Sequence, residues 1–170
     1  MALEHISYEV KSLLAAVLIP DWPPILVGDH AGVMVRFDGW INNVRLEAAM
    51  VHLRCLYAFL TGIEAHKADV IAMDYFKPSD GWQSPAYVIG RDAADQRRIL
   101  DNINRRVHHI GQQRTEPFTW DDVVPHIPTV AEHFLVFVQD LAKFGHVDRA
   151  AWFDEAVVHA RVCAALLSAP

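Results

Sequence analysis

The amino-acid sequence predicts an all-α fold, an up-and-down helical bundle of about five helices with one long irregular loop. Apolar residues recur at helical spacing in several segments, and Gly and Pro residues separate these segments. Of the 170 residues, 52% are hydrophobic and 21% are charged, which is typical of one folded domain. Residues 1–170 are therefore expected to form a single helical domain.

The first predicted helix covers Leu3 to Ile19, where apolar residues fall at helical spacing and Pro20 follows. Residues 21–24 are predicted to form a rigid connector, because proline fixes its own backbone and restricts the residue before it. The segment from Ile25 to Phe37 contains two glycines and a short apolar run. It is predicted to be either a loop or a pair of short strands.

The strongest helical signal covers Trp40 to Leu60, about 21 residues without Gly or Pro. Gly62 follows it and suits the left-handed end of a helix. Because apolar residues fall on more than one face, we expect a central and largely buried helix. Cys55 in this helix and Cys163 near the end of the chain lack partners at metal-site or redox spacing. Both cysteines are predicted to be small core residues.

The remaining chain is predicted to contain one irregular loop and three helices. Prolines and a glycine break up the loop, Ile63 to Ile89, which is predicted to be either a long functional loop or a loop with one short helix. A helix from Arg91 to Ile110 carries its apolar residues on one side. Thr119 suits the start of a helix. Pro125 and Pro128 complicate this start, so the regular helix is predicted to begin only near Thr129 and to end at Lys143. The last predicted helix runs from Asp148 to Leu167.

Charge and hydropathy exclude some classes of protein. The net charge of −6 argues against a protein that coats nucleic acids in general. Residues 91–114 differ, since they hold six Arg and three Asp, and they form either a solvated helix face or a surface for an anionic partner. No segment reaches the ~20 apolar residues of a membrane span, and residues 1–10 lack the features of a signal peptide. A cytoplasmic protein without a membrane segment is expected.

Two charged residues mark the long central helix. Glu47 and Arg54 are seven residues apart, so they lie on the same face of the helix, two turns from one another. Such a pair on an apolar helix is costly to bury without partners, which leaves either structural partners on neighbouring helices or a ligand site. His52 lies seven residues after Arg45 on another face, either as a structural histidine or as a ligand-binding one.

A basic cluster with histidines ends the next predicted helix. It contains Asn104, Arg105, Arg106 and His109. Histidine transfers protons near neutral pH and arginine holds phosphate, a combination capable of RNA cleavage. The same pattern also arises by chance, so both interpretations stay open.

Metal and cofactor sites are not predicted. Glu155 and His159 are a carboxylate and an imidazole at the i, i+4 spacing of a helix. We expect a surface hydrogen bond between them. No Gly-rich phosphate loop, nucleophile elbow or dinucleotide fingerprint is present in the sequence. We expect neither a metal nor a cofactor.

Three stretches of the chain resemble a family of uncharacterised bacterial helical proteins. Residues 43–60 are similar to a family segment in which a Glu, a His and an Arg precede a Leu/Phe end. Residues 68–76, followed by Trp82, are similar to its irregular stretch. Residues 104–110 resemble a later pattern that places His109 in the family's histidine position.

That family in turn resembles HEPN domains, which are all-α bundles that often dimerise. Many HEPN domains are ribonucleases of toxin or antiviral systems, and active members use an Arg, a polar residue and a His four to six residues after the Arg. Here Asn104 stands where the Arg before His109 is expected, so the motif is degenerate. The resemblance implies a homodimeric, non-catalytic or catalytically degenerate domain that binds RNA, a nucleotide or a protein partner.

The site implied in this way has named residues. Glu47, His52, Arg54 and Asn104 are the expected ligand-binding residues. Two alternatives to this binding domain stay open. The first is a metal-independent ribonuclease, in which His109 acts as the acid or base with help from Arg105 or Arg106. In that enzyme Glu47 and Arg54 would orient the site. In the second, a structural adaptor, residues 63–89 form the contact surface.

Overall fold

The computed structural model describes residues 2–18, 26–28, 34–36, 38–63, 65–67, 69–90, 92–108 and 119–167. In this part of the chain it contains six α-helices and two short strands. They are α1 (Ala2–Leu18), β1 (Leu26–Gly28), β2 (Met34–Arg36), α2 (Asp38–Thr61), α3 (Ala93–His108), α4 (Ile127–Lys143), α5 (Val147–Ala151) and α6 (Asp154–Leu167). The prediction of an all-α helical bundle is confirmed.

Four long helices form the bundle. α1 packs on α2 and α6, and α4 packs on the same two helices, so the four enclose one shared core. Residues at helical spacing supply this core from α1 and α4, because side chains three or four positions apart share one face. The buried residues include Ile6, Val10 and Leu13 of α1 and Val130, Phe134, Phe137 and Leu141 of α4.

α2 is the central helix, since it contacts α1, α3 and α4. Leu53, Tyr57 and Leu60 are fully buried on it, while Val44 and Val51 form an exposed stripe on another side. The helix ends at Thr61, where Gly62 takes a left-handed φ of 71°. The predicted central helix is confirmed, with one side of it open to solvent.

The segment predicted as a loop or a strand pair contains two strands. β1 and β2 pair antiparallel, with Leu26 opposite Arg36, Val27 opposite Val35 and Gly28 opposite Met34. Each strand has only three residues, so this ribbon is a small addition to the helical bundle.

The prediction of one uninterrupted last helix is wrong. α5 ends at Ala151 and α6 begins at Asp154, with a turn at Trp152 and Phe153 between them. Phe153 is fully buried in this turn, and its ring packs edge-on against Phe134 and Phe137. The turn between α5 and α6 therefore places an aromatic side chain in the core.

The start of α4 also differs from the prediction. The helix begins at Ile127 because Pro128 lies in its first turn, where the missing N–H is not required. Thr119 is the N-cap residue of a short 3-10 turn at Trp120–Asp122, and its backbone N–H donates to Asp122 Oδ2 at 2.9 Å. The Thr119 hydroxyl makes no capping hydrogen bond, so the residue precedes a 3-10 turn instead of capping an α-helix.

The irregular loop is confirmed between α2 and α3, and it contains two 3-10 turns, Ala72–Tyr75 and Pro78–Asp80. Aromatic contacts hold it on the bundle. The rings of Phe76 and Trp82 stack at 4.5 Å with an interplanar angle of 5°, and Trp82 Nε1 donates to Asp140 Oδ2 at 3.1 Å. Buried aromatic rings therefore make this segment part of the core. Within the described ranges, no helix has the length and apolar character needed to cross a membrane.

Candidate functional site

A cavity of about 430 Å³ lies between α1, α2 and the start of the irregular loop. We call it the α1–α2 cavity. Its polar lining residues come from all three segments, and they are His5, Glu9, Arg54, Cys55, His66 and Asp69. Helical spacing explains the first four, because His5 and Glu9 are one turn apart on α1, and Arg54 and Cys55 are adjacent on α2.

The other half of the lining is apolar. Ile6 and Phe59 are buried residues of the core, so the floor of the cavity is continuous with the bundle interior. Ala58 on α2 leaves space because its side chain is small. The irregular loop closes the cavity with three further residues, Ala65, Val70 and Ile71.

The side chain of Glu9 links α1 to α2 at the edge of this cavity. Its Oε2 atom lies 2.7 Å from His52 Nδ1, and the two side chains are only 16% and 14% exposed. The ring of Tyr8 covers His52 edge-on at 5.7 Å between centroids. A partly buried contact of this kind fixes the orientation of the carboxylate that faces the cavity.

Cys55 makes a second contact with the same carboxylate. Burial and the neighbouring Glu9 carboxylate raise the pKa of the Cys55 thiol to about 11, and the thiol also forms a hydrogen bond with Glu9. Arg54 acts in the opposite direction with a smaller effect. The thiol is therefore protonated near neutral pH, since thiolate forms only when the pH approaches the pKa.

The order of these groups matters for chemistry. An activated cysteine needs a base that removes its proton and a positive neighbour that stabilises the thiolate. In this cavity a carboxylate lies between the thiol of Cys55 and the imidazole of His52, and it stabilises the thiol form. Cys55 is consequently a hydrogen-bond donor of the cavity wall and a poor nucleophile.

The predictions for the two cysteines have different outcomes. Cys163 is buried, with 2% exposure, so its assignment to the core is confirmed. Cys55 is exposed where it lines the α1–α2 cavity, although the protein atoms around its thiol still desolvate it, so the assignment of this residue to the core is wrong. The physical reason is that α1 and α2 do not fill the space beside Cys55. The residue therefore lines the cavity between them.

Two of the predicted ligand-binding residues lie at the cavity. Arg54 lines it, and His52 contacts the lining residue Glu9. Arg45 and His52, predicted to share a face, both point at α1, since Arg45 Nε donates to the carbonyl of Ala16 at 3.3 Å. Glu47 is partly exposed on α2 and is not part of the cavity lining.

The other predicted site residues belong to α3 and the segment after it. Asn104 is partly buried and Arg105 is exposed on α3, and neither lines the α1–α2 cavity. Arg106 lies in α3, but its side chain is outside the described residues, and so is the whole of His109. The catalytic assignment of Arg105, Arg106 and His109 stays a prediction.

Sequence reasoning missed five polar residues of the cavity, which are His5, Glu9, Cys55, His66 and Asp69. A signal was present for the first two, since His5 and Glu9 have the same four-residue spacing as Glu155 and His159. His66 and Asp69 form a closed turn in which the His66 N–H donates to Asp69 Oδ2 at 2.7 Å. No periodic pattern in the sequence indicates that this turn meets α1.

The expected surface hydrogen bond between His159 and Glu155 is confirmed, with the backbone carbonyl of Glu155 as the partner in place of its carboxylate. His159 Nδ1 lies 2.7 Å from the backbone carbonyl oxygen of Glu155, and the Glu155 carboxylate pairs with Lys11. The two side chains therefore have different partners. His159 contacts a carbonyl of its own helix, and the Glu155 carboxylate joins α6 to α1. No group of three His, Cys, Asp or Glu side chains within the described ranges is placed to hold a metal ion.

A second, smaller cavity of about 180 Å³ lies between α3 and the 3-10 turns before α4. Arg98, Asp121 and His126 are among its lining residues. Burial lowers the pKa of His126, so its imidazole is neutral at pH 7. The volume of this cavity is below the range of about 300–1,000 Å³ that is typical of ligand pockets.

Comparison of the chain with models of protein families, with curated proteins and with solved structures finds no match. The functional proposal therefore rests on the geometry of the α1–α2 cavity. This cavity has two carboxylates, one guanidinium and an apolar floor.

Proposed function

We propose that this chain is a ligand-binding helical domain and that its ligand occupies the α1–α2 cavity. The observation that carries the proposal is the cavity itself, whose volume of about 430 Å³ lies within the range of natural ligand pockets. Its lining combines an apolar floor with a small number of polar groups, the usual composition of such pockets. Two helices supply most of these groups, which gives them fixed positions.

The protonation of Cys55 supports binding in preference to covalent catalysis at this cavity. A thiol with a pKa of about 11 holds its proton at neutral pH, and Glu9 intervenes between it and His52. The lining therefore offers hydrogen-bond donors and acceptors to a ligand, without an activated nucleophile.

The finer identity of the domain is part of the same proposal. We propose a HEPN-like, bacterial, cytoplasmic domain that forms a homodimer. Arg97, Arg98 and Arg105 are exposed on α3, which supports RNA as a second partner at that helix. RNA binding there should weaken with rising salt and on the double change Arg97→Ala with Arg105→Ala.

The ribonuclease and adaptor alternatives have separate tests. A metal-independent ribonuclease predicts that the protein degrades RNA and that His109→Ala abolishes this activity. Intact RNA at all salt and pH values would exclude it. An adaptor acting through residues 63–89 predicts a stable protein complex and neither RNA binding nor RNA cleavage.

The main proposal is tested by filling the cavity. Ala58→Trp places a large ring in the α1–α2 cavity, and Ala142→Trp makes the same change at an exposed position of α4. Ligand-observed NMR and thermal shift would follow binding of nucleoside monophosphates and L-amino acids. We expect at least one compound to bind the unchanged protein and Ala142→Trp, and to lose binding in Ala58→Trp. Absence of binding, or equal binding in both variants, would overturn the proposal.

A further inference from the structure

The charged groups of the α1–α2 cavity interact with other groups of the protein. Glu9 contacts His52 at 2.7 Å and forms a hydrogen bond with the thiol of Cys55. Asp69 Oδ2 accepts a backbone N–H of its own turn at 2.7 Å, and Arg54 also has an interaction within the chain. A charged group of a ligand would have to compete with these contacts and give up its own water, which is unfavourable for a charge.

The surroundings of the Cys55 thiol are unfavourable for a negative charge. Burial raises the pKa of this thiol to about 11, and the carboxylates of Glu9 and Asp69 act in the same direction. Arg54 lowers this pKa, but its effect is smaller than that of burial or of Glu9. Surroundings that keep a thiol uncharged also disfavour a carboxylate or a phosphate placed beside it. An anionic group of a ligand is therefore expected to stay outside the cavity.

The apolar floor of the cavity is rigid. The ring of Phe59 is held edge-on by Tyr75 at 5.9 Å and by Phe137 at 5.2 Å between centroids. Ile6 is 9% exposed and Phe59 is 3% exposed, so both belong to the packed core of the bundle. Side chains fixed in this way lose little freedom when a ligand packs against them. The floor therefore needs no reordering on binding.

The loop side of the cavity carries an exposed apolar residue. Val70 lines the cavity and is 42% exposed, and Ile71 beside it is partly buried. A ligand that covers Val70 removes apolar surface from water, which is favourable. Since a cavity of ~150 Å³ already holds benzene, the volume of about 430 Å³ has room for two fused rings.

We infer that the α1–α2 cavity binds the uncharged, apolar ring system of its ligand, of the size of indole or naphthalene. Charged groups of the ligand stay in solvent at the mouth of the cavity, where His5, His66 and Asp69 are exposed. This inference rests on the proposed function, because it requires that the cavity binds a small molecule. Affinity should then depend on the ring system and hardly at all on the charge of the ligand.

The test compares indole compounds that differ in charge. Indole is uncharged, indole-3-propionate is anionic, tryptamine is cationic and L-tryptophan is zwitterionic. Calorimetric titration of the full chain should give dissociation constants that agree within about threefold, because the charged groups stay in water. Pyrrole lacks the second ring and should bind about tenfold to hundredfold more weakly than indole. A charged compound that binds about tenfold more tightly than indole would overturn the inference.

A matched pair of valine variants locates the site. Val70→Ser removes apolar surface from the cavity and should weaken binding of all the indole compounds about threefold to tenfold. Val158→Ser makes the same change at a position of α6 that is 59% exposed and outside the cavity lining, so binding should not change. Equal affinities in the two variants would contradict the inference. The comparison of compounds needs no variant, so it remains informative if a substitution disturbs folding.

The outcomes distinguish this inference from the proposed function. If a nucleoside monophosphate or an aliphatic amino acid binds and Ala58→Trp abolishes that binding, while no indole compound binds, the cavity is a ligand site and the ring inference is wrong. If indole and L-tryptophan bind with similar affinity and Ala58→Trp abolishes both, the proposed function and the inference are supported together. If none of these compounds binds, both fail.

Discussion

The Nε2 atom of His146 lies 2.7 Å from Oδ2 of Asp80, which joins the turn before α5 to the irregular loop. The two side chains are 9% and 14% exposed. The same Asp80 oxygen accepts the backbone N–H of Lys77 at 2.7 Å, and Arg149 donates to the carbonyl of Tyr75 nearby. These polar contacts therefore hold the irregular loop, with its two 3-10 turns, against the helical bundle.

This contact makes stability depend on pH. The hydrogen bond from His146, followed by that from the Lys77 N–H, lowers the pKa of Asp80 below its ordinary value of 3.8. A lowered pKa in the folded state means that the stabilisation is complete above the ordinary carboxyl pKa. It is lost as the pH falls through the lower folded value.

We therefore expect the melting temperature to decrease as the pH drops below about 4, and to decrease less steeply in Asp80→Asn. Asp80→Asn should also have a lower melting temperature at pH 7. Circular dichroism melts between pH 7 and pH 2.5 measure both effects. Asp148→Asn, at an exposed position of α5, serves as control, and parallel curves for all three proteins would contradict the prediction.

Trp82 anchors the irregular loop through its ring and its N–H. Trp82→Ala removes the stack on Phe76 and the hydrogen bond to Asp140, and it should lower the free energy of unfolding by about 3 kcal/mol. Trp82→Phe keeps an aromatic ring and should lose about 1 kcal/mol. Urea unfolding checks both values. Trp152→Ala is the control because Trp152 is 51% exposed, and a similar loss in this variant would contradict the assigned role.

A comparison of Gly90 with Gly81 distinguishes the energetic cost of backbone strain from the cost of close packing. Both have a left-handed φ, 79° and 69°, but a Cβ atom on Gly90 would lie 2.8 Å from the backbone nitrogen of Gln96, and one on Gly81 meets open space. Gly81→Ala should lose about 1 kcal/mol of unfolding free energy from the strained backbone alone. Gly90→Ala should lose a further ~2 kcal/mol from overpacking. Equal losses in urea unfolding would show that the close contact is relieved without penalty.

The reactivity of Cys55 reports on the cavity lining. In a Cys163→Ser background, alkylation by iodoacetamide should be slow at neutral pH and should rise with a midpoint at about pH 11. Glu9→Gln removes a neighbouring negative charge that raises this pKa, so the midpoint should move toward the ordinary value of 9.0. Mass spectrometry follows the rate. Glu132→Gln, at an exposed position of α4, should leave the midpoint unchanged, and an unchanged midpoint in Glu9→Gln would remove Glu9 from the site.

The sequence by itself determined the helices of this protein. Helical spacing of apolar residues predicted α1 and α2 to within one or two residues at their ends, and Gly62 predicted the end of α2. The same reasoning failed at Phe153, where burial of one ring interrupts a continuous helical pattern. A helix depends on neighbours within one or two turns, so its signal is present in a short stretch of sequence.

The tertiary structure alone decided which residues form the candidate site. Glu9 meets His52 across 43 positions of the chain, and the turn of His66 and Asp69 joins them from the irregular loop. The sequence identified Arg54 and His52 as unusual but gave no sign that Cys55 would line an opening. The physical reason is that a cavity arises where packed faces diverge, and this depends on the relative position of whole elements that no local pattern records.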